Sequence, residues 1–268
     1  MIPGVIGFLG YGNMGTAILE GLIEAGRTTG KHALIYDTAP GRRQAAEAIG
    51  AEIAETPAEL ASKADTLLLA VKPQIMQEAV APLAGRIHAE TLVISIAAGI
   101  TIARLTEWLG GGVRIIRVMP NTPALVSAGA AGIALGPGCT QADAAVACAL
   151  FEGIGLAEVV DEPQLDAVTA LSGSGPAYFF RLVECMEDAA VAEGLSRDQA
   201  ARFAAQTLLG AGVLLTHSGE SAGTLRQRVT SKGGTTEAAL HTLQEKGFCD
   251  LVRAAVATAA ARSRELGA

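Results

Sequence analysis

Aromatic side chains are scarce in this chain: Phe, Tyr and Trp together make up 4% of it, and Trp108 is the single tryptophan. A core must therefore be assembled from Ala, Leu, Val and Ile. With apolar residues at 50% of 268 positions, there is material for one large or two modest domains. Basic charge is in short supply too. Lys and Arg number 20 against 27 Asp and Glu, a net charge of −7, which argues against nucleic acid or an anionic membrane as partner. The four cysteines, Cys139, Cys148, Cys185 and Cys249, lie far apart and form no C-x-x-C. His32, His88, His217 and His241 show no ligand spacing, so neither a disulfide framework nor a metal site is expected. The longest uncharged stretch, Val118 to Ala142, is broken by Pro120, Pro123 and Pro137 and cannot be a membrane helix. No internal repeat and no low-complexity linker is present. The chain runs from Met1 almost directly into a strand-type segment, leaving no room for a targeting peptide, and a reduced, cytoplasmic setting is expected.

Glycine, by contrast, is plentiful, with thirty-two residues. Most informative is the start, Val5-Ile6-Gly7-Phe8-Leu9-Gly10-Tyr11-Gly12-Asn13-Met14-Gly15, where an apolar strand enters a glycine-rich turn and a helical pattern follows. This is the G-x-G-x-x-G fingerprint in the strand–turn–helix context that gives it meaning. Gly10 allows a tight turn, Gly12 lets backbone amides approach a pyrophosphate, and Gly15 lets the helix lie close to the strand. The opening helix turn then presents unpaired N–H groups and a positive dipole end to phosphates. Next comes Ala33-Leu34-Ile35-Tyr36, closed by Asp37, 22 residues after Gly15, where this fold sets an acid against the adenosine ribose. Arg42 and Arg43 follow and suit a 2′-phosphate instead. The two signals disagree, and both NADH and NADPH remain open.

Helical segments (Ala45 to Ile49, then one led by Pro57) alternate with apolar runs at Glu52-Ile53, Thr66 to Val71, Leu92 to Ile96 and Val113 to Met119. Such alternation predicts a parallel, doubly wound sheet of Rossmann type, an α/β fold whose ligands bind beyond the carboxyl ends of the strands. Four segments meet there: the glycine-rich turn, Ala70-Val71-Lys72-Pro73, Ile96-Ala97-Ala98, and Pro120-Asn121-Thr122-Pro123. The small Ala97 and Ala98 leave room for a flat nicotinamide ring. A strand near Ala131 to Leu135, a helix from Gln141 to Glu152 and a strand at Leu156 to Val160 close this part. The reading is a dinucleotide-binding domain over residues 1–160.

Beyond Asp161 the strand-like runs cease, and residues 161–268 read as an all-helical domain. A helix led by Pro163 is expected to run to Leu171. The loop Ser172-Gly173-Ser174-Gly175-Pro176 then interrupts it, with Ser174 as cap of the next helix. Ser196 to Gln199 reads as a capping box. Ser231-Lys232-Gly233-Gly234-Thr235-Thr236 precedes a helix expected near Glu237, with Thr235 able to cap it. Backbone amides at both loops suit a carboxylate, with hydroxyls alongside; ordinary helix capping is the competing reading of each. Lys232 is either a charge partner there or a solvated surface lysine. The Ala-rich helical half carries few charges on its helix faces, which points to a partner covering it.

At these residues the chain resembles the pyrroline-5-carboxylate reductase family, nearly end to end. The resemblance rests on Gly10-Tyr11-Gly12-Asn13-Met14, Ala70-Val71-Lys72-Pro73-Gln74, Met119-Pro120-Asn121-Thr122-Pro123, Leu171-Ser172-Gly173-Ser174-Gly175-Pro176-Ala177-Tyr178 and Val229-Thr230-Ser231-Lys232-Gly233-Gly234-Thr235-Thr236. It implies reduction of 1-pyrroline-5-carboxylate to proline by NADPH or NADH, and a helical dimerisation domain through which two chains interlock, forming a homodimer or higher homo-oligomer whose active sites each draw on both chains. It also implies cofactor contacts at Leu9, Gly10, Tyr11, Gly12, Asn13, Met14, Ala70, Val71, Lys72, Pro73, Ile96, Ala97 and Ala98, to which the position of Asp37 after its strand and of Asn121 at a strand end adds those two residues. By the same resemblance the amides of Gly233, Gly234, Thr235 and Thr236 hold the substrate carboxylate and Thr236 bonds the ring nitrogen; the chemistry of the two loops adds Ser231 as a substrate contact and Ser174 beside Thr236 as a catalytic hydroxyl. Many members carry Ser, Thr or Asn where Asp37 stands, a choice suited to NADPH. Two other readings of the residues stand beside this one: a dehydrogenase of a small hydroxy acid, which would need a Lys or His base in the helical half, and a non-catalytic dinucleotide-binding protein.

Overall fold

The computed structural model describes residues 2–267. Eight strands form one sheet in the order β3-β2-β1-β4-β5-β6-β7-β8. They are β1 (Ile6–Leu9), β2 (Ala33–Tyr36), β3 (Glu52–Ile53), β4 (Thr66–Leu69), β5 (Leu92–Ser95), β6 (Arg114–Met119), β7 (Gly129–Leu135) and β8 (Gly155–Val159). Helices α1 (Asn13–Glu24), α2 (Pro40–Ala48), α3 (Pro57–Lys63), α4 (Met76–Val80), α5 (Ile102–Leu109) and α6 (Gln141–Glu152) lie between them. Strands β4 and β5 are buried along their whole length, as continuous apolar runs require. Alternate residues feed two cores: Phe8, Leu68, Ile94 and Ile116 join Ile18, Leu22 and Phe151, while Leu67, Leu69, Val93 and Ile115 join Leu60, Val80 and Leu105.

The doubly wound parallel arrangement holds from β1 to β6 and is corrected at β7, which runs antiparallel to β6. Its cause is the link from Met119 to Gly129, which holds only a 3-10 turn, Thr122–Val126, too short for a helical crossover. Parallel pairing resumes at β8, reached through α6. A second correction concerns α2, which begins at Pro40 rather than near Ala45, because proline's fixed φ suits a first helical position.

Compactness divides the chain into two units: residues 1–174 with 258–268, and residues 175–257. Strands end at Val159, next to the 160/161 boundary read from the sequence. Yet the segment that follows, with α7 (Leu165–Val168), stays with the sheet, because Leu165 and Ala170 are fully buried and Leu165 and Val168 pack closely over Gly132 of β7, where a Cβ would stand 3.0 Å from Val168 and 3.1 Å from Leu165. The second unit holds α8 (Gly175–Ala192), α9 (Arg197–Ser218), α10 (Ala222–Arg228), α11 (Thr235–Glu245) and the first part of α12 (Phe248–Gly267). Helix α9 opens on the capping box expected at Ser196 and Gln199 and closes on left-handed Gly219. Among the described residues no helix is long and apolar enough to cross a membrane.

Candidate active site

Strand register sets the first half of the site. Leu9 lies opposite Leu69, and Leu69 opposite Ser95, so the segments after β1, β4 and β5 leave the sheet side by side. Ser95 lies opposite Arg117, and β6 runs on to Met119 before Asn121. All the cofactor residues expected from these four segments therefore share one edge of the sheet. Leu9 and Ala97 are buried, Ala70, Val71, Pro73, Ile96 and Ala98 half-buried, and Lys72 exposed.

The three glycines of the turn earn their places differently. Gly10 has φ +94°, donates its N–H to the Tyr36 carbonyl, and sits so close to Val71 and Ala70 that a Cβ would clash. A Cβ on Gly15 would stand 3.0 Å from the Gly10 carbonyl oxygen. Gly12 is different: its φ of −76° suits any residue, and no protein atom lies within 4 Å of a Cβ built there. Neither packing nor conformation asks for glycine at that position, whereas a group approaching from outside does. No side chain caps α1 and no acid lies in its first turn, so its opening amides remain available. An open approach beside an uncapped helix start fits the pyrophosphate of a dinucleotide.

Neighbouring side chains face elsewhere. The Tyr11 ring is fully buried, edge-on to Phe8 with centroids 6.2 Å apart, and burial pushes its phenol up to about 12. Tyr11 therefore offers the site its backbone alone. Met14 packs partly against the core. Asp37 accepts the Tyr11 N–H on Oδ2 at 2.7 Å and the Ala39 N–H on Oδ1 at 2.8 Å, which ties the end of β2 to the glycine-rich turn. Arg42 donates to the Asn13 side chain at 2.8 Å. Asn121 is likewise engaged: its Oδ1 accepts the Ala130 N–H at 2.8 Å, and its Nδ2 donates to the Ser172 carbonyl at 3.1 Å.

The segment Ser172 to Pro176 is no loop. Residues Thr169–Gly173 form a π-helical turn that leads into α8. Ser174 has helical angles and donates its N–H to the Thr169 carbonyl at 2.8 Å. It is thus neither the expected helix cap, which requires an extended residue, nor a source of a free amide. Its hydroxyl makes no hydrogen bond among the described residues.

In the second unit, α11 starts at Thr235, two residues earlier than expected, with Gly234 as its N-cap and no side-chain cap, so Thr235 does not cap it. The Gly233 N–H donates to Glu237 Oε2 at 2.6 Å, and the Gly234 N–H to the Ser231 carbonyl at 3.0 Å. That leaves the amides and hydroxyls of Thr235 and Thr236 without a partner among the described residues. Ser231 and Lys232 are exposed. Sequence reading passed over Glu237, although an acid at the third helical position behind a glycine pair is a recognisable signal. It also passed over buried Arg117, which donates to Glu162 Oε1 at 3.3 Å while the same oxygen accepts the Ile102 N–H at 2.8 Å.

Two family descriptions match the chain: pyrroline-5-carboxylate reductase dimerisation over residues 162–266, and NADP oxidoreductase, coenzyme F420-dependent, over residues 5–99. The pyrroline-5-carboxylate reductase of Escherichia coli K12 is 42% identical over 261 residues, covering 97% of this chain and 96% of the relative. Among solved structures, that of a pyrroline-5-carboxylate reductase from Coxiella burnetii superposes with a TM-score of 0.92 at 34% identity, covering 99% of both chains. The Plasmodium falciparum pyrroline carboxylate reductase with NADP bound superposes with a TM-score of 0.87 at 29% identity over the whole of each chain.

Proposed function

The chain belongs to the pyrroline-5-carboxylate reductase family, and from that premise we propose how its residues divide the work. It is an NAD(P)H-dependent oxidoreductase acting on a C–N bond, converting 1-pyrroline-5-carboxylate to proline in the last step of proline biosynthesis. The reduced nicotinamide supplies the hydride that adds to the imine carbon. The ring nitrogen is protonated beforehand, so the imine is already electrophilic and the protein's task is to position and to stabilise charge.

The observation that carries the cofactor half is Gly12, open on its Cβ side beside the uncapped start of α1. These amides hold the pyrophosphate, Asp37 braces the turn and sets the charge near the adenosine ribose against Arg42 and Arg43, and Ala97 and Ala98 leave room for the nicotinamide ring. Asp37 favours a free ribose diol and the two arginines a 2′-phosphate, so the cofactor is NADPH or NADH and these three residues set the preference between them. In the helical part, the amides of Thr235 and Thr236 hold the substrate carboxylate, and that of Gly233 joins them when Glu237 swings aside. The Thr236 hydroxyl bonds the ring nitrogen, and the Ser174 hydroxyl helps to orient the ring.

The division of labour follows the sequence boundary: residues 1–160 bind the dinucleotide, while residues 161–268 bind the substrate and pair with a second copy to form a homodimer. The large apolar side chains exposed on α8 and α9 support that pairing. Four free cysteines suit a reduced, cytoplasmic setting. Adding 1-pyrroline-5-carboxylate to the protein with NADPH tests the reading: cofactor oxidation with stoichiometric proline is expected, and a rate no greater than that of buffer overturns it.

A further inference from the structure

The π-helical turn Thr169–Gly173 leaves the Ser172 carbonyl to be accounted for. In an α-helix the Ser172 carbonyl would accept the N–H of residue 176, but that residue is Pro176, which has none. The carbonyl is instead satisfied from a strand end far away in sequence, by Asn121 Nδ2 at 3.1 Å. Asn121 is itself fixed, 9% exposed, with Oδ1 holding the Ala130 N–H of β7 at 2.8 Å. Met119, two residues before it, lies against Gly173 so closely that a Cβ there would fall 2.7 Å from the methionine methyl. Within the turn, Ser172 Oγ donates to the Val168 carbonyl at 3.0 Å and the Ser174 N–H to the Thr169 carbonyl at 2.8 Å.

A π turn holds one residue more than an α turn. Replacing it by α-helix would rotate Ser174 about the helix axis by roughly 100°. The pairing of Ser172 therefore decides where the Ser174 hydroxyl faces. We propose that Asn121, which the sequence marks as a cofactor contact, is a positioning residue: it substitutes for the missing N–H of Pro176, holds the π register and so aims Ser174. This inference rests on the role given to Ser174 above.

The test measures kcat, KM and NADPH affinity for Asn121→Asp, Ser174→Ala, their double variant and Pro176→Ala. Asn121→Asp keeps the acceptor for Ala130 and loses the donor to Ser172. It should lower kcat by about tenfold to a hundredfold with NADPH affinity within about twofold of wild type, and the double variant should be no slower than the slower single. Pro176→Ala offers Ser172 an α-helical partner and leaves Asn121 in place. It should fold, keep NADPH affinity and lose kcat by about tenfold, which keeps the idea testable if Asn121→Asp proves unstable. NADPH affinity falling in step with kcat in Asn121→Asp would make Asn121 a cofactor residue and overturn the proposal. A slow Ser174→Ala whose effect simply adds to that of Asn121→Asp overturns the positioning role alone. A Ser174→Ala at the wild-type rate removes the catalytic reading of Ser174, and the inference with it.

Discussion

In the sheet unit, Phe8, Ile18, Leu22, Leu68, Ile94, Ile116 and Phe151 are all fully buried. In the helical unit, the only apolar side chains that reach burial among the described residues are those of Ala200 and Ala204. Phe179, Phe180, Phe203, Leu209 and Leu251 of the helical unit are each more than half exposed. Local order does not separate the two: α9 has a complete capping box, a left-handed glycine stop and 22 residues of unbroken helix. What differs is where the apolar face goes. Caps, propensity and turn chemistry suffice to write a helix, but they do not bury it. The sheet unit closes its own core, and the helical unit, which matches a dimerisation family description, leaves its large apolar residues exposed.

The largest expected effect comes from breaking that difference at Phe203, 65% exposed on α9. An exposed residue with no partner changes stability by about 0.5 kcal/mol or less, whereas one buried by a second copy costs about 3–5 kcal/mol on truncation and more when replaced by a charge. Phe203→Arg should therefore convert the assembly to monomer by light scattering and abolish most of the activity. A dimer of normal stability would place the interface elsewhere.

Next in size is Thr236→Ala. The Thr236 hydroxyl has no partner among the described residues, and α11 does not use it as a cap, so folding and cofactor affinity should be kept. Turnover should fall by roughly tenfold to a thousandfold, the range for one hydrogen bond made in the transition state. A wild-type rate would reduce the loop to a helix start.

In the sheet unit the informative change is Gly12→Ser. Serine is a good N-cap, the backbone there is extended, and nothing crowds the position, so thermal stability should hold or rise. The same hydroxyl occupies the amides that phosphate needs, and NADPH affinity should fall about tenfold. Stability and affinity moving in opposite directions would mark this open position as functional, in a unit whose buried apolar positions serve packing. If NADPH bound as tightly as before, the pyrophosphate would lie elsewhere.

How much of this was legible follows from how far each signal travels along the chain. Strand β2 and helix α6 were read with the limits they have, because their signals are written within a few residues: a short apolar run closed by Asp37 in the one, and in the other a local start that the structure shows to be a capping box of Thr140 with Asp143. The reversal at β7 was not legible, since strand direction depends on the length of a link and no residue names it. The π turn was mistaken for a loop because its glycine- and serine-rich sequence looks like one. The determinants proposed for it are Pro176, close by, and Asn121, separated from Ser172 by 51 positions. At the candidate site the glycines were found by pattern, but the inward turn of Tyr11 and the use of Asp37 as a brace depend on contacts that no spacing encodes.

Glu237 gives the smallest and most discriminating test of the helical unit's self-sufficiency. Its carboxylate holds the Gly233 N–H at 2.6 Å, so at this loop the unit satisfies one of its own amides with one of its own acids. In the proposed function the substrate also brings a carboxylate to these amides, and two like charges at one helix start repel each other. Glu237 is exposed, so its charge is screened and it can swing into water at little cost. Glu237→Ala should therefore free the Gly233 amide and lower KM for 1-pyrroline-5-carboxylate by about threefold, with kcat unchanged, as befits a solvent-screened charge acting on ground-state binding alone. Loss of an acid from the first turn of α11 should at the same time lower Tm slightly. Glu237→Gln, which keeps the shape and removes the charge, should give most of the KM effect with less of the Tm change. A rise in KM in both variants would mean that Glu237 holds the loop in its binding shape, and that the bond to Gly233 prepares the site instead of competing for it.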